Sequence, residues 1–367
     1  MNNWFAITGK TPDLSLAELR ALKLDVAPFS VSKQVINGKG DFPSVETWNR
    51  LGGVVKAGVW VAECTSARLE DKLIEVLSFP SPDSGRIDFG LSFYPTTYNP
   101  KQIERLSLSI KKQLKSSTKQ PVRVYLPTDG IISPVITAKE LLPKGGKELV
   151  IMLEHGQIQI GEVGWVHRFE DWSKREFGDK QVDAKSGLLP QKLARMMVNL
   201  TGLNAGDVTI YDPFCGDGTV LMEASELGFN ILGSDISPTA VEHSKTNTRS
   251  DNFMVEDARI TRPKISTSEM AIVTEPYLGP VNAEINQSNH IVNQLTELYY
   301  QSLKQWRSFL KPGAAVVMVF PVISNLSTFA KIVDRLSSLG YSTSIGPLRY
   351  ERVGQLVQRD IVRLTVI

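Results

Sequence analysis

Asp212-Pro213-Phe214-Cys215-Gly216-Asp217-Gly218-Thr219 stands where an apolar run, Val208 to Tyr211, gives way to a helix-forming stretch, Val220 to Leu227. In a parallel sheet the ligand lies beyond the carboxyl ends of the strands, and Gly216 and Gly218 let backbone approach it closely. Neither the dinucleotide pattern G-x-G-x-x-G nor the triphosphate pattern G-x-x-x-x-G-K-[ST] is present. S-adenosylmethionine is the cofactor that remains.

Working outward, the next apolar run, Ile231 to Ser234, ends in Asp235 and Ile236, with Asp235 lying 23 positions after Asp212. An acid at about that offset accepts hydrogen bonds from ribose hydroxyls. Phe253 to Val255 then closes in Glu256-Asp257-Ala258, where Asp257 can accept from an adenine amine. Singly, each of these reads as a solvated loop acid or a turn glycine; in order, at three successive strand ends, they read as one site. The candidate cofactor set is Asp212, Phe214, Cys215, Gly216, Gly218, Thr219, Asp235, Ile236, Asp257 and Ala258. Cys215 has no histidine near it in sequence and reads as a small loop filler rather than a nucleophile.

A fourth run, Met270 to Val273, leads into Thr274-Glu275-Pro276-Tyr277, the candidate catalytic residues. An exocyclic base amine is a poor nucleophile because its lone pair is delocalised into the ring. Acceptors that draw on its protons, with an aromatic ring that stacks the base, align nitrogen, methyl and sulfur for displacement. Tyr277 is the candidate ring, and Glu275 or Thr274 the candidate acceptor. A carboxylate at Glu275 also places negative charge where the amine turns cationic; its plain alternative is a capping or solvated acid.

These runs, with Ala314 to Phe320, are apolar on both faces, as in a parallel sheet covered by helices. Leu188 to Leu200 reads as a helix with Pro190 near its start, and Tyr341 to Ile345 and Asp360 to Ile367 as two antiparallel strands. The fold class is therefore α/β, with a doubly wound C-terminal domain over 187–367. The 367 residues exceed one compact core and predict two or three domains.

Two small α+β units in series are expected before it, over 1–80 and 85–165, with a linker at 166–186. Phe5 to Thr8 and Gly53 to Ala62 read as strands flanking a helix that Ser15 and Glu18 open at capping-box spacing; a second helix covers Ala67 to Leu77. The breaker-rich Phe79 to Gly85 separates the units. Ile87 to Tyr94, Val122 to Leu126, Glu148 to Leu153 and Gln157 to Glu162 read as strands, the last two turning at His155-Gly156. Asn99-Pro100 starts a helix whose buried stripe is Ile103, Leu106, Ile110 and Leu114.

With 42% hydrophobic and 22% charged residues the chain is compositionally that of a folded, soluble protein. Two cysteines, Cys64 and Cys215, exclude a disulfide framework or a four-cysteine zinc site, and the four histidines show no ligand spacing, so no metal is expected. Met1-Asn2-Asn3 begins no charged and apolar leader, which points to the cytoplasm. The run Ala314 to Ile323 is about half of the roughly 20 residues a membrane span needs. Charge is nearly balanced, yet between Tyr98 and Lys147 ten basic residues face three acidic ones. Lys101, Arg105, Lys111, Lys112, Lys115, Lys119 and Arg123 are the candidate RNA contacts; a solvated face is the plain alternative.

The chain resembles the THUMP-domain RNA methyltransferases, specifically the tRNA guanine-N2 methyltransferases that modify guanosine 10. Ile7-Thr8-Gly9-Lys10 with Leu14-Ser15-Leu16-Ala17-Glu18-Leu19 is similar to the family's opening, Gly187-Leu188-Leu189-Pro190-Gln191-Lys192-Leu193-Ala194 to its G-M-L-P-P-K-L-A helix, and Asp212 to Thr219 to its D-P-F-C-G-S-G-T. The resemblance implies an N-terminal ferredoxin-like unit, a THUMP unit gripping tRNA, and a Rossmann-like catalytic domain. Where the family has D-P-P-Y, Thr274-Glu275-Pro276-Tyr277 keeps the last proline and the tyrosine. Its R-D-Y-G-R-P-x-R-D becomes Arg175-Glu176-Phe177-Gly178-Asp179-Lys180-Gln181-Val182-Asp183, and Asp217 takes the place of a serine or threonine. The expected activity is methylation of an exocyclic base amine, guanine N2 in tRNA, with DNA or rRNA as alternative substrates and a noncatalytic RNA-binding protein as the alternative class.

Overall fold

The computed structural model describes residues 3–29, 32–78, 85–95, 99–154, 156–178, 180–181, 189–263, 269–280, 287–351 and 357–367. The chain divides into two compact units: Met1–Leu16 with Leu24–Phe169, and Ala17–Lys23 with Glu170–Ile367.

The first unit runs β1 (Trp4–Thr8), the start of α1 (Pro12–Ala21), β2 (Val35–Gly38), α2 (Val45–Arg50), β3 (Val54–Thr65), α3 (Leu69–Ser78), β4 (Ile87–Tyr94), α4 (Pro100–Thr118), β5 (Val122–Tyr125), a short α5 (Pro134–Ile136), β6 (Lys147–Glu154) and β7 (Gln157–Val166). Its strands form one seven-stranded sheet in the order β2-β1-β3-β7-β6-β4-β5. The two α+β runs read from sequence therefore share a sheet. The cause is β3, which continues to Thr65 and pairs with β7 from Lys56↔Val166 to Thr65↔Gln157. The breaker-rich segment between the runs falls at 79–84, outside the described residues, as does His155 of the turn between β6 and β7.

Helices α3 and α4 bury Leu69, Leu73, Leu77, Ile103, Ile110 and Leu114 in a core with Phe89, Leu91 and Leu149. In α4 the buried stripe includes Ser107, while Leu106 is half-buried. Asn99 caps α4: its Oδ1 accepts from Lys101 N at 2.9 Å, and its own N–H donates to Gln102 Oε1 at 3.0 Å. β2 and α2 carry too few residues for a periodic signal. They are fixed by packing, Trp48 lying against Trp4 at 5.4 Å and Trp165 at 5.8 Å.

The capping box expected at Ser15 and Glu18 is not formed. The helix starts earlier, at Pro12, so Ser15 lies inside it and its hydroxyl donates to the Thr11 and Gly53 carbonyls, each at 2.9 Å. Glu18 is fully buried and accepts from Asn199 Nδ2 at 2.8 Å.

A buried ion pair crosses the centre of this sheet. Lys56 Nζ donates to Glu148 Oε1 and to the Ile132 carbonyl, both at 2.6 Å, with neither side chain more than 1% exposed. Glu148 also accepts from Ser92 Oγ at 2.6 Å and from Thr137 Oγ1.

The second unit contains α6 (Phe169–Phe177) from Glu170 onward, α7 (Gln191–Leu200), β8 (Val208–Asp212), α8 (Thr219–Glu226), β9 (Asn230–Asp235), α9 (Pro238–Thr248), β10 (Phe253–Val255), β11 (Glu269–Thr274), α10 (Ser288–Trp306), β12 (Ala315–Ile323), β13 (Leu326–Ser327), α11 (Thr328–Leu336), β14 (Tyr341–Tyr350) and β15 (Val357–Val366). The stretch expected as linker thus holds α6, whose Trp172 is buried beneath the Arg175 guanidinium at 4.3 Å. Residues 182–188, with Asp183, Gly187 and Leu188 of the quoted motifs, lie outside the described residues. Helix α7 follows Pro190 and is buried along nearly its whole length.

The sheet has the order β10-β9-β8-β11-β12-β15-β14, with β13 beside β12. β8 to β12 are mutually parallel; β15 runs antiparallel to β12, and β14 to β15. The chain winds outward from β8 through β9 to β10, then restarts on its other side at β11. That reversal opens a crevice past the carboxyl ends of β8 and β11, where ligands of doubly wound sheets bind.

Candidate active site

The loop after β8 is held by its own acids. Asp212 Oδ1 accepts from Phe214 N–H at 3.0 Å, which turns the chain, and from the Thr274 hydroxyl at 2.6 Å, which ties the end of β8 to the end of β11. Asp212 is buried, and burial pushes its carboxyl up to about 7; the Thr274 and Phe214 hydrogen bonds oppose the rise, and the charges of Asp235 and Glu275 add to it.

Gly216 and Gly218 have φ of +50° and +84°, in the left-handed region that disfavours side chains. A Cβ on Gly218 would meet Ser244 Oγ at 2.9 Å, whereas one on Gly216 would point into open space. A ligand can lie against Gly216 where a side chain would project. Gly216 N–H donates to Asp235 Oδ2 at 3.0 Å and Ser237 N–H to Asp235 Oδ1 at 2.9 Å, so Asp235 joins the ends of β8 and β9. Each carboxylate oxygen retains acceptor capacity beyond that one bond. Asp217 lies over α9, with Oδ1 2.9 Å from His243 Nδ1.

The remaining cofactor candidates are placed as follows. Phe214 is half-buried and edge-on to Trp306 at 6.4 Å. Cys215 is buried and its thiol is pushed far up by burial, which leaves it inert. Thr219 opens α8, and Ile236, beside Asp235, is 68% exposed. Ala258 is buried, its carbonyl accepting from Trp306 Nε1 at 3.1 Å. Asp257 is engaged by Arg259, at 3.0 Å from Nε and 2.5 Å from Nη2, and the guanidinium holds its carboxyl below the usual range.

At the end of β11 the candidate acceptors separate. Thr274 is fully buried and its hydroxyl is committed to Asp212. Glu275 keeps 11% of its side chain exposed and accepts from Arg359 Nε at 2.6 Å. Burial raises the Glu275 pKa, against the pull of Arg359. Pro276 is buried, and Tyr277 is 56% exposed with its carbonyl pinned by the Tyr299 hydroxyl at 2.7 Å. A flat, solvent-facing ring thus follows directly on a shielded carboxylate.

Arg359 and Tyr299 have no place in the motifs. Arg359 lies between Gln358 and Asp360 in the polar start of β15, where nothing in the sequence sets it apart.

In the first unit, Lys101, Arg105, Lys111, Lys112 and Lys115 lie on α4, Lys119 follows it, and Arg123 lies on β5 over the Tyr125 ring at 4.6 Å. None of the seven makes an ion pair among the described residues. Lys144 and Lys147 of the same window pair with Glu140 at 2.5 Å and Glu162 at 3.2 Å. Among the described residues no group of histidine, cysteine and acidic side chains could hold a metal, and no helix is long and apolar enough to cross a membrane.

Residues 179–335 match the RMKL-like methyltransferase domain family, and residues 79–246 a DNA methylase family of N6/N4 type. The chain is 33% identical over 140 residues to a tRNA (guanine(10)-N2)-dimethyltransferase of Methanothermobacter thermautotrophicus, spanning 37% of this chain and 39% of that protein. It is 24% identical over 322 residues to the protein of the same name from Pyrococcus abyssi, spanning 84% of this chain and 86% of that one. Among solved structures, TrmN from Thermus thermophilus aligns over the whole of both chains with a TM-score of 0.57 at 16% identity, a likeness of fold. The reversal of strand order and the glycine loop between β8 and α8 accord with these similarities, in which residues 179–335 are similar to a methyltransferase domain and the chain is similar to tRNA (guanine(10)-N2)-dimethyltransferases.

Proposed function

We propose that the protein is a cytoplasmic, S-adenosylmethionine-dependent RNA methyltransferase acting on guanine N2 in tRNA. The observation that carries this reading is the adjacency of β8 and β11, which sets a glycine loop with open space before it beside a carboxylate and an exposed aromatic ring. S-adenosylmethionine supplies a methyl group on a sulfonium: the amine nitrogen bonds to that carbon, the carbon–sulfur bond breaks with its electron pair to sulfur, and nitrogen releases a proton. Asp212 and Asp235 hold the cofactor side, Asp235 through acceptor capacity left for ribose hydroxyls, with Ile236 offering an apolar surface to the adenine. Glu275 accepts from the amine and balances its developing charge, while Tyr277 stacks the base. Thr274 supports the site through Asp212.

The N-terminal half, in this reading, comprises a ferredoxin-like unit over 1–80 and a THUMP unit over 85–165. The unpaired cations of α4 and Arg123 hold tRNA phosphates, which gives affinity without reading sequence.

The purified protein is expected to transfer labelled methyl groups from the cofactor to tRNA, and digestion should place the label in N2-methylguanosine. Label in rRNA or DNA amines instead would move the substrate, and RNA binding without transfer would remove the activity. Asp235→Ala is expected to weaken cofactor binding tenfold or more by calorimetry, since charge-assisted hydrogen bonds contribute about 1.5–3 kcal/mol each. Unchanged affinity would take Asp235 out of the site. Tyr277→Ala should lower kcat/KM about tenfold and Tyr277→Phe leave it near wild type, because base stacking contributes roughly 1–3 kcal/mol and needs the ring rather than the hydroxyl.

A further inference from the structure

We infer that Arg359 is a positioning residue for guanine selection: from β15 it fixes the Glu275 carboxylate so that the remaining oxygen reads the donor edge of the base. The inference rests on the proposed guanine-N2 reading and adds a residue that lies 84 positions from Glu275, outside any motif.

Its basis is geometric. Arg359 Nε meets Glu275 Oε1 at 2.6 Å with side-chain exposures of 6% and 11%. Glu275 Oε2 has no hydrogen-bond partner among the described residues, and it is not sealed from solvent. A carboxylate is acceptor-only when ionised. Guanine presents two adjacent donors, N1–H and the N2 amine. Adenine and cytosine each set a ring-nitrogen acceptor beside their amine, which a carboxylate repels. A fixed, ionised Glu275 therefore favours guanine, and a protonated one would lose that discrimination.

Keeping Glu275 ionised requires a cation that does not itself titrate. Among the described residues the groups facing Glu275 are Arg359 from β15, Asp212 at the end of β8 and Tyr299 from α10, with Tyr277 two residues on along the chain. Of these only Arg359 favours the charged carboxylate. Burial works against it, as does the negative charge of any ionised Asp212. A guanidinium keeps its proton throughout the working pH range and its planar fork fixes direction as well as charge.

The test uses the full-length protein with tRNA carrying either guanine or 2-aminopurine at the methylated nucleotide; 2-aminopurine keeps the N2 amine but has an acceptor at N1. Wild type should favour guanine at least tenfold in kcat/KM, and Glu275→Gln should reverse the preference, because the amide oxygen stays on Arg359 and the NH2 turns to the base, donating to N1 of 2-aminopurine and opposing N1–H of guanine. Arg359→Met should move the acidic limb of the kcat/KM profile upward by a pH unit or more and reduce guanine preference at pH 7, with Arg359→Lys restoring the limb in part. Circular dichroism and cofactor affinity of each variant exclude unfolding as the cause. If wild type methylates guanine and Arg359→Met leaves both the limb and the preference in place, Arg359 has no such role. If wild type makes no N2-methylguanosine at all, it is the reading of the reaction that fails.

Discussion

Asp212→Asn is expected to stabilise the second unit above neutral pH while impairing the site it belongs to. Burial pushes the wild-type carboxyl up to about 7 from an ordinary value of 3.8. Its folded pKa lies above its unfolded one, so below about pH 4 both states are protonated and the group is neutral in the balance. As pH rises toward 7 the unfolded chain ionises while the folded one keeps its proton, and stability falls. Above 7 the full penalty is present, about 4 kcal/mol for a shift of this size. Asparagine cannot ionise, and its oxygen can still accept from Phe214 N–H and the Thr274 hydroxyl, both of which use the same Oδ1. Calorimetric melting of wild type and Asp212→Asn should nearly coincide at pH 4 and diverge by roughly 5–10 °C at pH 8.5, with the variant higher. Equal gaps at the two pH values would mean that the carboxyl is not a buried, proton-holding group. A cationic ligand group beside Asp212 would draw the proton off, so in wild type cofactor affinity should rise with pH through 7.

Glu148→Ala is expected to cost the first unit about 3–5 kcal/mol, the scale of a buried pair that loses one member. The substitution leaves Lys56 enclosed with the Ile132 carbonyl, strips Ser92 of its carboxylate acceptor and leaves Thr137 only the Ser133 carbonyl. Burial already lowers the Lys56 pKa, with Glu148 opposing it, so losing Glu148 should drive it further toward the neutral amine. The double substitution Lys56→Met with Glu148→Leu should recover most of the loss, since removing both charges leaves no uncompensated ion. Urea unfolding followed by Trp48 and Trp165 fluorescence would check both, and a cost under about 1 kcal/mol for Glu148→Ala would show that the network contributes little.

What could be read from sequence follows the reach of each signal. The strands β8, β11 and β12 were visible because a strand buried on both faces is mostly apolar, β9 and the edge strand β10 because short apolar runs mark them although Val255 is exposed, and the loop because left-handed φ at Gly216 and Gly218 favours glycine there. The antiparallel pairing of β14 with β15 followed from the lack of room for a crossover helix. Local patterns carry no information about partners far along the chain. Ser15 and Glu18 have the spacing of a cap, yet their partners are Gly53 and Asn199, which decide their roles. Likewise Thr274 and Glu275 could not be told apart as acceptors until the bond to Asp212 claimed one and Arg359 the other. Lys56 looked like any lysine in a strand, because burial of a charge is set by Glu148, 92 residues away.

Helix α1 is divided, its later turns and the residues after it, Ala17–Lys23, grouping with the second unit, where Glu18 receives the buried Asn199 amide. The residues around Glu18 thus belong to the compact body formed by Glu170–Ile367, far from them in sequence. An excised fragment beginning near residue 187 would expose the seat of that missing turn and deprive the Asn199 amide of the Glu18 carboxylate. Dissection of the protein should therefore be done by circular permutation or by supplying the N-terminal peptide in trans, rather than by simple truncation.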